Sequence, residues 1–130
     1  MPNSSSVLPW TLTMPAGSLQ QWVFTFTTPA AAGPPVPYPI TGYTWEYVAR
    51  TTAADLGTPL ISLTTTPTAN GVLAVTATAT LSQVLLEIYP PATAALDGNF
   101  AHSLWMQPGN PAAAFTWFTG ALNVAGNPQP

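Results

Sequence analysis

The 130-residue chain predicts an all-β fold: an antiparallel β-sandwich, immunoglobulin-like or jelly-roll-like, of about eight short strands. Three observations carry this expectation. Apolar and polar residues alternate with period two in one segment after another, as half-buried strands require. Sixteen prolines and nine glycines cut the chain at short intervals. The segments between them are rich in Thr and aromatic residues, which favour pleated surfaces. No window of helical periodicity exceeds about ten residues.

The elements follow in order. A first strand falls at 8–13 and stops at the turn Met14-Pro15-Ala16-Gly17. The second spans 19–27, where Gln20, Trp22, Phe24 and Phe26 form an aromatic face opposite Leu19, Gln21, Val23, Thr25 and Thr27. Ala30 to Pro39 is rich in Pro and Ala and predicts an extended loop or edge crossing. The third strand, 42–50, alternates Tyr43, Trp45, Tyr47 and Ala49 with Thr44, Glu46, Val48 and Arg50. A strand at 58–65 follows, then an Asn70-Gly71 turn that supplies the positive φ a tight turn needs. Strands at 71–79 and 83–89 come next, and Pro91 to Leu96 is short enough for a single helical turn. The last two strands fall at 98–106 and 114–124. In the first of them Phe100, His102 and Leu104 face away from Ala101, Ser103 and Trp105. No internal repeat or domain boundary is visible, so the sandwich spans 8–124. Residues 1–7 and 125–130 read as an N-terminal arm and a C-terminal tail.

Composition excludes several function classes. Only Arg50, Glu46, Asp55, Glu87 and Asp97 are charged, 4% of the chain, against about 25% in an ordinary soluble domain. A single Arg and no Lys cannot build the basic stripe that nucleic-acid binding needs. With no cysteine there is no disulfide and no thiolate chemistry. No apolar run reaches the roughly 18 residues of a membrane span, and residues 1–6 lack the pattern of a signal peptide, so synthesis in the cytoplasm is expected. A surface so poor in charge would expose large apolar patches on a monomer, which points to an assembly.

Several stretches resemble a β-sandwich family of tailed-phage virion proteins, found at the amino end of upper baseplate proteins and in small tail-associated proteins of actinobacterial phages. The matching stretches are Gln21-Trp22-Val23-Phe24-Thr25-Phe26, Ile40-Thr41-Gly42, Val48-Ala49-Arg50 and the corner Thr93-Ala94-Ala95-Leu96-Asp97-Gly98-Asn99-Phe100. The match closes with Pro108-Gly109, Phe115 to Phe118, and Gly120-Ala121-Leu122-Asn123-Val124. It covers about four fifths of the chain, Leu19 to Val124. His102 and Ser103 stand where the family usually has an aromatic and an Asp, and the family carries more charge. The resemblance implies a non-enzymatic virion part that forms homo-oligomers of trimeric or hexamer-related symmetry and attaches other virion structural proteins. Tail or baseplate is the first expected location; a capsid decoration protein cementing capsomers is the alternative. The Thr93 to Phe100 corner has a physical reading of its own: Asp97-Gly98 lets the chain leave one sheet and enter the other, and Phe100 drops into the core.

The residues offer little chemistry. His102 is the single histidine, and alternation places it on the face opposite Ser103, so they cannot form a hydrolytic pair with Asp97 behind them. No nucleophile elbow is present. One His and four scattered carboxylates make no metal site, and no cofactor is expected. The candidate interface residues are Trp10, Glu46, Arg50, Trp105 and Trp117. Glu46 and Arg50 lie four apart on one strand face, available to pair with each other or with a neighbour's Asp97 or Glu87. The five tryptophans, Trp10, Trp22, Trp45, Trp105 and Trp117, open a lesser alternative, glycan binding by stacking on an exposed ring. The run Thr76-Ala77-Thr78-Ala79-Thr80 occurs once and is explained by strand propensity.

Overall fold

The computed structural model describes residues 8–28, 36–38, 40–52, 54, 57–107 and 115–126. The chain is all-β. Its strands are β1 (Leu8–Pro9), β2 (Leu12–Pro15), β3 (Gln20–Thr25), β4 (Thr27–Thr28), β5 (Val36–Pro37), β6 (Thr44–Arg50), β7 (Ile61–Leu63), β8 (Gly71–Ala77), β9 (Ser82–Ile88), β10 (Gly98–Gln107) and β11 (Phe115–Ala125). One helical turn, α1 (Pro90–Thr93), lies between β9 and β10. Prolines at its first positions suit a helix start, where the missing N–H would be unpaired anyway.

The strands form two principal layers. One sheet runs β1-β11-β10-β6-β7, with β2 also on β11; the other runs β3-β9-β8; β4 and β5 make a small separate ladder. This order is that of an immunoglobulin-like sandwich, in which β3, β9 and β8 correspond to strands B, E and D, and β11, β10 and β6 to G, F and C. Within each layer the pairings are antiparallel, with one departure from the expected pattern: β1 and β2 lie parallel to β11.

The expected strand at 8–13 is divided because the Trp10 carbonyl turns away from the ladder. Its N–H still donates to Thr119 O (3.0 Å), while its oxygen accepts from the His102 ring. Both halves keep one register, Leu8 beside Phe118 and Leu12 beside Leu122, so the interruption is a local detour and not a slip. The expected 19–27 strand divides at Phe26, whose N–H still pairs with Ser82 O while its carbonyl accepts from Tyr38 N. The expected 58–65 strand shortens to three residues. Thr64 O turns to Leu73 N of β8 (2.9 Å), so the chain has begun to cross between layers there. The arm 1–7, residues 127–130 of the tail, and most of the Pro-rich 30–39 stretch lie outside the described residues.

Alternation selects what enters the space between the layers. Trp45, Tyr47 and Ala49 of β6, Phe24 of β3, Leu73 of β8, Leu86 and Ile88 of β9, and Leu104 and Met106 of β10 are all buried there. Immunoglobulin domains often bridge the two layers with a disulfide. This chain has no cysteine and fills the same region with aromatic rings. Trp10 meets Phe24 edge-on at 4.9 Å, and Phe24 meets Phe118 at 4.6 Å. Such pairs add about 0.5–1.5 kcal/mol each beyond their buried area.

The corner behaves as its residues dictate. The chain leaves β9 in the three-stranded layer, makes α1, and enters β10 in the other layer at Gly98, whose φ of 129° is closed to other residue types. Thr93 is fully buried, and its Oγ1 accepts from Gly17 N at 3.0 Å, tying the corner to the turn after β2. Phe100 is half-buried and packs against the core.

Candidate functional site

His102 is held in the core. Its ring stacks on Trp10 with centroids 4.0 Å apart and planes 18° apart. Nε2 lies 2.8 Å from the Trp10 carbonyl oxygen, and Nδ1 lies 3.0 Å from the Tyr47 hydroxyl. Burial lowers the His102 pKa, opposed in part by the bond to Trp10 O. Burial pushes the Tyr47 phenol well above its ordinary value. Ser103 points to the other side of β10, where its Oγ accepts from the Trp105 indole N–H (2.8 Å). The histidine therefore ties β6 and β10 to the segment between β1 and β2, and Ser103 lies on the opposite face of β10 from it.

The charged side chains are spent on neutral partners. Ser62 Oγ donates to Glu46 Oε2 (3.0 Å), and Gln21 Nε2 donates to Glu87 Oε2 (2.8 Å). Gly126 N donates to Asp97 Oδ1 (3.0 Å), and the Arg50 guanidinium donates to Gly57 O. Glu46 and Arg50 do share a face of β6, but four residues along a strand is about 13 Å, beyond the reach of an intrachain pair. Asp55 lies outside the described residues. Among the described residues no group of three or more His, Asp or Glu could hold a metal ion, and no helix is long and apolar enough to cross a membrane.

The candidate interface residues separate. Trp10 is 6% exposed and belongs to the core, so it presents no surface. Glu46, Arg50 and Trp105 lie together on the outer face of the larger sheet, where Trp105 is the direct cross-strand neighbour of Glu46. Trp117 lies in β11 at its bulge opposite Leu104 and Trp105; its side chain is outside the described set. Beside Trp105 the outer face carries a groove of about 320 Å³ lined by Thr44, Trp45, Glu46, Thr64, Thr65 and Trp105.

A second surface escaped the sequence reading. Leu19, Trp22 and Val23 are 54%, 40% and 50% exposed. They lie on or beside β3, which among the described residues has a partner strand on one side only. Behind Val23, Leu85 and Ala74 continue the same row across β9 and β8. The signal was present in the alternation of Leu19, Gln21 and Val23. What it lacked was the position of β3 at the sheet edge, which also leaves Trp22 half uncovered. The larger sheet ends differently: one edge is the three-residue β7, and the other carries Pro9 and Pro15. Short strands and prolines discourage pairing with another chain; β3 has no proline, no charge and no such protection.

No protein-family model matches the chain, and no curated protein is significantly similar to it.

Proposed function

We propose that the chain is a non-enzymatic structural subunit of a tailed-bacteriophage particle. In this reading it is a β-sandwich of the tail or baseplate that assembles with copies of itself and attaches other virion proteins. The observation that carries the assembly role is the outer edge of β3, which has no partner strand among the described residues, with Leu19, Trp22 and Val23 exposed on a chain carrying 4% charged residues. An apolar, uncharged edge strand is a template for pairing with a second chain. Its coverage by a neighbouring subunit removes both the open hydrogen-bonding edge and the apolar patch. The phage context rests on the resemblance of the 19–124 region to virion sandwich proteins. The occupation of His102 by Trp10 and Tyr47 fits a structural role, because the sole imidazole is committed to packing.

Copy number in purified particles tests the proposal, measured by quantitative mass spectrometry against the major capsid protein. Small multiples of three or six support the tail or baseplate role. On the order of hundreds of copies would instead make the chain a capsid decoration protein. Absence from the particle would overturn both.

A further inference from the structure

We propose that the groove beside Trp105 binds a neutral pyranose sugar, its apolar face stacked on the Trp105 ring and its hydroxyls donating to Glu46. This site lies on the outer face of the larger sheet, away from β3, and does not depend on the particle role. Four observations converge on it. Trp105 is 39% exposed on the outer face of β10, so part of its indole is open to a ligand. Its indole N–H is bonded to Ser103 Oγ at 2.8 Å, which holds the ring in place before any ligand arrives. Glu46 stands directly across the ladder from Trp105, and Ser62 fixes its carboxylate from the next strand. A carboxylate offers about four acceptor sites, and the Ser62 hydroxyl occupies one of them. Thr44, Thr64 and Thr65 border the same groove, whose volume of about 320 Å³ is at the small end of ligand sites and suits one or two sugar rings.

The charge pattern selects the ligand class. A carboxylate at the ring edge repels anions, and Arg50, the only Arg or Lys in the chain, is turned to Gly57. A quaternary ammonium would call for a cage of several aromatic faces; of the two tryptophans lining the groove Trp45 is buried, so a single exposed ring, Trp105, is combined with threonines and a carboxylate. Amphipathic pyranoses, apolar on one face and rimmed by hydroxyls, fit that combination.

The test is a titration of the full chain followed through its five indole N–H signals in ¹⁵N NMR spectra, with Trp105 assigned by loss of its signal in Trp105→Phe. Glucose, galactose, mannose and N-acetylglucosamine are each added to about 50 mM, because a single stacking platform gives millimolar affinity. The expected result is a saturable shift of the Trp105 indole and of the Thr64 and Thr65 amides with at least one sugar. Trp105→Ala should weaken the Thr64 and Thr65 response about tenfold or more, and Glu46→Gln should weaken it several-fold. Trp105→Phe, which keeps a flat ring, serves as the reporter variant if Trp105→Ala does not fold, and should retain part of the response. No saturable shift with any of the four sugars would overturn the proposal. So would an undiminished response in the variants, or a response to choline chloride in place of the sugars.

Discussion

The Tyr47 hydroxyl and His102 Nδ1 lie 3.0 Å apart inside the sandwich, and this contact determines the state of both groups. The other imidazole nitrogen faces the Trp10 carbonyl at 2.8 Å. A carbonyl only accepts, so Nε2 carries the proton, Nδ1 presents a lone pair, and Tyr47 donates to it. The ring is then a neutral connector from β6, through β10, to the N-terminal segment. Tyr47→Phe removes the donor and leaves Nδ1 buried without a partner. The expected loss is about 1–3 kcal/mol, read as a lower urea midpoint with an unchanged slope. An unchanged midpoint would show that the bond contributes nothing to stability.

The same geometry makes stability pH-dependent in acid. Burial lowers the folded-state pKa of His102 below its ordinary 6.5. Between those two values the unfolded chain binds a proton that the folded chain refuses, so stability rises with pH across the window. The contribution is complete above 6.5 and is lost as pH falls from there through the folded value. Tyr47, the titratable group facing the ring, is raised above 10 by burial, so it stays protonated throughout this window. His102 is the sole histidine in the chain. Unfolding midpoints measured from pH 7.5 to 5 should therefore decline in the wild type. His102→Gln should start lower and stay flat over the same range; a parallel decline in both would remove His102 as the cause.

Much of this architecture was legible in the chain because period two records which side chains face inward. The aromatic face of β3, the alternation along β6 and the opposition of His102 to Ser103 all follow from it, while the corner at Asp97-Gly98 follows from the backbone freedom of glycine. Periodicity carries no information on which strand lies beside which, or in what direction. For that reason the parallel docking of β1 and β2 on β11 was not foreseen. The same gap explains Trp10. An aromatic residue near a chain end looks equally suited to a core or an interface. Its burial is decided by Gly120 and His102, which are roughly a hundred positions away and adjacent only in the fold. Glu46 and Arg50 illustrate a different limit: sharing a strand face is a matter of parity, while pairing is a matter of distance. Trp22 and Val23 show the complement, a pattern read correctly whose exposure depends on β3 being an edge.

Gly120 is the position where the N-terminal segment comes closest to the larger sheet. A Cβ added there would collide with the Trp10 carbonyl oxygen, carbon and nitrogen, all backbone atoms that cannot rotate away. Gly120→Ala should therefore lift Trp10 off β11 and break its bond to His102, at a cost of about 2 kcal/mol or more. Gly98→Ala is the informative contrast. Nothing lies within 4 Å of a Cβ there, so its cost comes only from the φ of 129°, about 1–3 kcal/mol. The two are separated by hydrogen exchange of the Trp10 amide, which bonds to Thr119 O. Gly120→Ala should lose protection at that amide well before global unfolding, whereas Gly98→Ala should lower protection only in step with overall stability.

Val23 offers the sharpest test of the edge strand. It is half exposed, sits in the middle of β3 and faces outward, so Val23→Lys removes little from the core. A surface change of this kind alters stability by about 0.5 kcal/mol or less. Against a neighbouring chain the effect is far larger, because a lysine on a strand edge must be desolvated for a second strand to pair or pack there. Analytical ultracentrifugation should show an oligomer for the wild type and a monomer for Val23→Lys, whose melting temperature falls only by the stabilisation that association supplied. Thr76→Lys, on the same outer face but on β8, the opposite edge of the three-stranded sheet, separates the two edges from each other. Dissociation by Val23→Lys alone locates the contact at β3. Equal dissociation by both variants would mean that the whole face is covered, and dissociation by neither would exclude β3 as the assembly surface.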